Sequence, residues 1–381
     1  MITLDPKIRR RLESEVAEAR KYAEKGARQA IKGFAVDQKE AWPAMTPEQQ
    51  ALRRRLRAHG RQLGDRRDQE KGTQTIDRLV SKCAYEHWHR LLFARFLAEN
   101  DLLVEPAVGV SISLDECREL AREGGGDWLT LASEFAVRML SHIFRAGDPV
   151  LEVALPPETR EKLEKILADL PRDVFIADDS LGWVYQFWQK ERKEEVDLKL
   201  KAGGKTEVDD LSPKTQLFTD DYMVCFLLHN TLGAWWAGKR LADNPELARN
   251  AKSEEELRAA CGLSGIEWTY LRFVRGDDDA WRPAAGVFDG WPKSASKITM
   301  LDPCMGSGHF LVFALPIFVA FRMSEEGLSR EEAVYAVLRD NLFGLEIDPR
   351  CTQIAAFNLA LAAWRMAEYQ VLPQPQLACS G

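Results

Sequence analysis

The stretch Lys297-Ile-Thr-Met-Leu-Asp-Pro-Cys-Met-Gly-Ser-Gly-His-Phe-Leu311 decides how this 381-residue chain is read. A short β-branched and apolar run, Ile298 to Leu301, leads into Asp302-Pro303, then a Gly306-Ser307-Gly308 turn, then an apolar stretch from Phe310. Strand, glycine turn and helix in that order make the ligand crevice at the carboxyl end of the first strand of a doubly wound sheet. The predicted fold class is therefore α/β.

The residue types suit a particular ligand. Gly306 and Gly308 lack a Cβ, so the backbone can take positive φ and let a ligand lie against it. Asp302 offers a carboxylate at the strand end for a cationic group. About forty residues on, Asn341-Leu-Phe-Gly-Leu-Glu-Ile-Asp348 reads as a second strand with acids at its tip, followed by Pro349 at a helix start. An acid ending the second strand is where such folds hold the two hydroxyls of a ribose. The Gly-x-Gly spacing lacks the third glycine of a dinucleotide site, and no Lys-Ser/Thr follows as in a P-loop. A nucleoside with a positive centre and no phosphates, S-adenosylmethionine, answers the description. The plainer reading of the turn alone is a tight connection in an ordinary α/β core.

DPCMGSGHFL (302–311) resembles the S-adenosylmethionine motif of amino-methylating DNA methyltransferases, usually Asp-Pro-x-Cys-Gly-Ser-Gly-x-Phe-Leu, and departs from it at Cys304-Met305. NLFGLEIDPRCTQIAAFNLALAAWR (341–365) is similar to the second such motif, most of all in the large adenine methyltransferases of phage-defence systems of the BREX (PglX-like) and DISARM kinds and of fused restriction-modification enzymes. Thr215-Gln-Leu-Phe-Thr219 resembles the Gln-x-Phe-Thr segment that lies against the cofactor in these enzymes, and its place before the glycine motif is the γ order of N6-adenine methyltransferases. On its own, Thr219 followed by Asp220 and Asp221 reads as an ordinary N-cap. The resemblance implies a Rossmann-like class I methyltransferase domain. It assigns Asp302, Pro303, Gly306, Ser307, Gly308 and Phe310 to the methionine end, Glu346 to the ribose, Ile347 to the adenine face, and Gln216, Phe218 and Thr219 to the far wall. It also implies site-specific methylation of adenine N6 in double-stranded DNA. The (Asn/Asp/Ser)-Pro-Pro-(Tyr/Phe) tetrapeptide that holds the flipped base does not occur, Leu155-Pro156-Pro157-Glu158 being on the wrong side and without the aromatic. No catalytic residue can therefore be named. The expectation is a fragment completed by the rest of its own chain or by other defence-system subunits. The alternative is a noncatalytic cofactor- and DNA-binding subunit. A fused restriction nuclease is disfavoured, since no Pro-Asp dipeptide occurs.

Composition bounds the rest. With 45% hydrophobic residues the chain can bury two cores, and no stretch near the N-terminus reads as a signal peptide. The apolar run 310–321 is short of a bilayer span and carries Pro316. Seven cysteines without a Cys-x-x-Cys pair suggest neither a zinc site nor a disulfide framework, and a reducing cytoplasm is expected.

The net charge of -7 does not decide on nucleic acid, but the basic residues cluster once. After a helix start at Thr46-Pro47-Glu48-Gln49 comes LRRRLRAHGRQLGDRRD (52–68), where Arg53, Arg54, Arg57 and Arg61 are candidates for DNA phosphates. A solvated helix face paired with acids elsewhere is the competing reading. Segments 6–32, 72–100 and 180–197 read as helices, the second with an apolar face of Leu79, Cys83, Trp88, Leu91, Leu92 and Phe96. His87 and His89 point to different faces and cannot share a metal. Ser113 with Glu116 forms a capping-box pattern, and Gly124 to Gly126 breaks the chain before Asp127. The expected domains are a mostly helical 1–198 with its basic helix at 46–68, a linker at 199–210, and the cofactor-binding part at 211–381.

Overall fold

The computed structural model describes residues 3–105, 109–124, 128–139, 147–205 and 219–380. The chain divides into two compact units, Met1–Thr206 and Glu207–Gly381.

The first unit is helical: α1 (Pro6–Gly33), α2 (Pro47–Gln62), α3 (Asp77–Glu99), α4 (Leu114–Glu123), α5 (Trp128–Met139), α6 (Pro157–Asp169), α7 (Asp173–Ile176) and α8 (Ser180–Lys201). One two-stranded antiparallel pair, β1 (Val104–Glu105) with β2 (Val110–Ser111), interrupts them. Local signals set the helix starts. Thr46 and Gln49 close a capping box before α2, as Ser113 and Glu116 do before α4. α3 is central: besides the expected stripe it buries Val80, Tyr85, His89, Phe93 and Leu97, so apolar residues surround it as on a helix packed on all sides. It begins at Asp77, with residues 72–76 in the loop before it. The His89 ring lies tilted against that of Tyr85 with centroids 3.8 Å apart, while a His87 ring nitrogen lies 3.2 Å from the Val150 carbonyl. Helix α8 runs on to Lys201, three residues into the stretch expected as linker.

The second unit has α9 (Asp221–Leu228), a π-turn (His229–Gly233) and α10 (Ala234–Asp243), then short helices α11 (Pro245–Asn250) and α12 (Glu254–Ala260) and the hairpin β3 (Phe273–Arg275) with β4 (Trp281–Pro283). The α/β core follows as β5 (Met300–Asp302), α13 (His309–Glu326), α14 (Arg330–Asp340), β6 (Leu342–Glu346), α15 (Pro349–Ala367) and β7 (Gln376–Cys379). The three strands are parallel, in the order β5-β6-β7. Asp302 pairs with Gly344, and Glu346 with Cys379. The sequence gives little sign of β7: four residues preceded by two prolines make no apolar run. Thr219 is not the N-cap of α9; Asp220 holds that position without a side-chain cap bond.

The core lies where α13 packs against α9, α15 and β6. Phe313, Phe318 and Phe321 of α13 are buried, and Phe321 meets Trp235, Trp236 and Trp268. At the amino-terminal end of the sheet, the buried Asn341 donates to the carbonyls of Ala295 (2.9 Å) and Ile298 (2.7 Å) and accepts from Arg322. Across the sheet, Leu301 and Leu345 are exposed on the face opposite the buried Leu342. No helix among the described residues is long and apolar enough to cross a membrane.

Candidate functional site

The glycine turn leaves β5 and is held against β6. Met305 N–H donates to the Leu345 carbonyl (3.1 Å), and Gly308 N–H closes the turn on the Met305 carbonyl (2.8 Å). Gly306 has φ +55 and Gly308 φ +78, the left-handed region where a side chain is strained. The two glycines differ in surroundings. A Cβ on Gly308 would lie 3.0 Å from the Ala355 Cβ, so Gly308 lets α15 approach the turn, whereas a Cβ on Gly306 would enter open space. Asn358 of α15 donates to the Ser307 carbonyl at 3.3 Å, and Ser307 is buried.

Two carboxylates stand at the carboxyl ends of neighbouring strands. Glu346 accepts from Gly306 N–H (2.8 Å) on one oxygen and from Ile347 (2.8 Å) and Asp348 (3.0 Å) N–H on the other, tying the turn to the tip of β6. Asp302 accepts from Cys304 N–H at 3.1 Å. Burial pushes the Asp302 carboxyl above the usual range, the Cys304 amide draws it back, and the negative charge of Glu346 pushes it up again. Neither carboxylate has a cationic side chain as partner among the described residues. Such a pair favours a positive ligand group, which would relieve both desolvation and mutual repulsion.

The remaining expected residues divide. Pro303 is exposed at the turn, Phe310 is partly buried in the core, and Ile347 is 40% exposed beside Glu346. Thr219 is described and half-buried, while Gln216 and Phe218 lie outside the described residues. The chain after Thr219 reaches the turn through Asp221, whose carboxylate is 3.0 Å from His309 Nε2 at the start of α13. Asp348 caps α15 by accepting from Arg350 N–H (2.9 Å) and pairs with the Arg350 guanidinium.

Sequence reasoning missed two features. Met305, the departure from the usual motif, is buried over Gly344, where a Cβ would run into its sulfur. A glycine inside a strand signals such close approach. Second, Ser380 N–H, just past β7, donates to the Glu346 carbonyl at 2.8 Å, and the Cys379 thiol lies 3.7 Å from the Ile347 carbonyl. The end of the third strand thus flanks Glu346 on the side away from Asp302.

The basic helix requires a correction. Arg53 and Arg57 are buried and committed to main-chain carbonyls: Arg53 to Ala35 (3.0 Å), Gln38 (2.7 Å) and Lys39 (3.2 Å), Arg57 to Val36 (2.9 Å), Gln38 and Gly72 (2.9 Å). Both guanidinium groups are buried against main chain inside the unit, so neither is presented to DNA phosphates. Arg54 and Arg61 are exposed, and Arg61 makes one bond, to Gln74 (3.2 Å).

No protein-family profile matches the chain. It is 26% identical over 352 residues to the adenine-specific methyltransferase PglX of Lacticaseibacillus casei, an alignment covering 82% of this chain and 28% of that protein. It is 29% identical over 224 residues to the adenine-specific methyltransferase BrxX of Escherichia coli O9:H4, covering 58% and 16%. A putative type II restriction enzyme and methyltransferase of Methanocaldococcus jannaschii is 34% identical over 120 residues, covering 30% and 10%. The chain spans less than a third of the length of these relatives. Over most of its own length, then, this is an α/β chain that resembles the PglX-like adenine-specific methyltransferases.

Proposed function

We propose that the second unit is the cofactor-binding part of a Rossmann-like, class I methyltransferase domain, that it binds S-adenosylmethionine, and that the protein acts in adenine N6 methylation of double-stranded DNA in phage defence or restriction-modification. One observation carries the reading: Asp302 and Glu346, two carboxylates without cationic partners among the described residues, end neighbouring parallel strands on either side of a glycine turn open to a ligand. The residues fit the group. Asp302 would accept from its ammonium, Glu346 would accept from the ribose hydroxyls, and Ile347 would cover one face of the adenine. Thr219 would stand on the opposite wall with Gln216 and Phe218. The bound cofactor supplies an electrophilic methyl carbon; this chain's residues orient it, and positioning of that kind is a main source of rate in a direct transfer. The names of the relatives support adenine as the acceptor. Exposed Arg54 and Arg61 are the candidates for DNA phosphates among those expected from the sequence.

Calorimetric titration of the chain with S-adenosylmethionine tests this. Asp302→Ala and Glu346→Ala are expected to abolish the binding heat while circular dichroism and melting report a retained fold. Since Glu346 also holds three amides, Glu346→Gln is the companion variant; it keeps one acceptor oxygen for the Ile347 and Asp348 amides, removes the charge, and should bind more weakly than wild type. Unchanged heats in all three remove the site.

A further inference from the structure

The two arginines lost to the helix face build something else. Their carbonyl bonds draw together the loop after α1, residues 35–39, and the loop between α2 and α3, where Gly72 lies. The second loop folds back on itself: Thr75 N–H donates to the Arg66 carbonyl (2.9 Å), Asp68 N–H to that of Thr73 (3.0 Å), and Arg67 pairs with Gln74. Gln74 N–H then donates to the Asp37 carbonyl (3.0 Å), joining the loops directly. The result is one surface of two loops seated on two guanidinium groups.

That surface has an unusual charge balance. Arg53 and Arg57 bond to carbonyl dipoles and, among the described residues, to no carboxylate; the opposing charge that acts on both is that of Asp37. A charge beneath a low-dielectric surface projects its potential outward. Lys39, Arg61, Arg66, Arg67 and Lys71 are exposed on these loops and the adjoining end of α2, and none forms an ion pair among the described residues. Arg57 is held below its ordinary pKa by burial and then by the positive charges of Arg53, Arg67 and Arg61, with Asp37 opposing them. Acids are present as well. Asp65 is buried, accepting from Arg78 and Leu79 N–H at the start of α3, and Asp68 is turned onto the amides of Glu70 and Lys71. Glu40 and Glu70 are exposed.

We infer that this two-loop surface, with Arg61, Arg67 and Lys71 as its principal contacts, is the phosphate-binding surface for duplex DNA, and that Arg53 and Arg57 serve it from beneath by holding the loops and their potential in place. The inference rests on the reading that DNA is the substrate. It relocates the contact from a helix stripe to a loop platform, whose bonds go to phosphates and carry no sequence preference.

The test is fluorescence anisotropy of a labelled duplex with the full chain over a series of salt concentrations. The variant Arg61→Gln/Arg67→Gln/Lys71→Gln is compared with Lys7→Gln/Lys25→Gln/Lys201→Gln, which removes three exposed lysines elsewhere in the same unit. The platform variant should weaken binding at least tenfold at low salt, equally for unrelated sequences. It should also flatten the dependence of log Kd on log salt by roughly 2 to 3, at about 0.9 per phosphate contact. The lysine control should change Kd less than twofold. Equal losses in both variants, an unaltered salt slope, or a wild-type chain that binds no duplex overturns the inference. S-adenosylmethionine titration of the same samples separates the two failures: retained cofactor binding with no duplex binding rejects the platform and leaves the cofactor reading standing.

Discussion

The loop platform of the first unit and the crevice of the second both use charged side chains to hold main chain, with opposite signs and different degrees of commitment. On the platform, guanidinium groups are buried and each serves three carbonyls of other segments. In the crevice, carboxylates are half-exposed and take amides from the glycine turn and the strand tips, Asp302 only one. A fully committed charge is structure; one left with open lone pairs beside a like charge is poised for a ligand.

The widest test of that contrast neutralises one charge in each region. Arg57→Met should lower stability by about 3 kcal/mol, since it strands the carbonyls of Val36 and Gly72, leaves that of Gln38 to Arg53 alone, and breaks a buried charged network. Asp302→Asn should instead leave the unliganded protein as stable or more so, because it keeps an acceptor for Cys304 N–H and removes the desolvated charge facing Glu346. Thermal melting of the two variants reads both signs; a destabilised Asp302→Asn would show that the crevice carboxylate is structural after all.

A middle-sized effect concerns how the turn is seated. Gly344→Ala drives a Cβ into the Met305 sulfur and should cost about 2 kcal/mol as overpacking. In a Met305→Cys background the same change should cost less, and the double-mutant cycle should show a coupling of about 1 kcal/mol. Additive losses would place the strain on Leu377 and Leu311, which the new Cβ also approaches, and not on Met305.

The smallest effect is on pH dependence. The pKa of Asp302 is raised in the folded protein, so the native state holds this proton more tightly than the unfolded chain does. Its penalty is absent well below the ordinary carboxyl pKa, grows as pH rises from that value to the folded one, and is complete above the folded value. A cationic ligand prefers the ionised form, so S-adenosylmethionine affinity should fall as pH drops through that range, with protons released on binding. Asp302→Asn should flatten both trends in melting and titration series.

What the sequence made legible was local. Ser113 and Glu116, Thr46 and Gln49, and the order of strand, glycine turn and helix each act within a few residues, so spacing alone displays them. The separation of Asp302 and Glu346 along the chain was readable because each acid ends its own apolar run. Nonlocal partners were not. Arginine suits a solvated helix face as well as a buried carbonyl cluster, and only the path of residues 35–39 and 72 decides between them for Arg53 and Arg57. Met305 and Gly344 interlock at a separation of 39 positions in the sequence, where neither position signals the other. Strand β7 is too short and too close to proline to announce itself.

The clasp of Glu346 on Gly306 N–H bears on how fast a ligand is captured. Three amides already share this carboxylate, and its two oxygens have about four acceptor directions between them, so a diol finds one vacant where it needs two. On the proposed reading, one amide must let go before a ribose is fully gripped. Association would then proceed through a loosely held encounter followed by a first-order rearrangement, and the observed capture rate would level off at high ligand concentration instead of rising without limit.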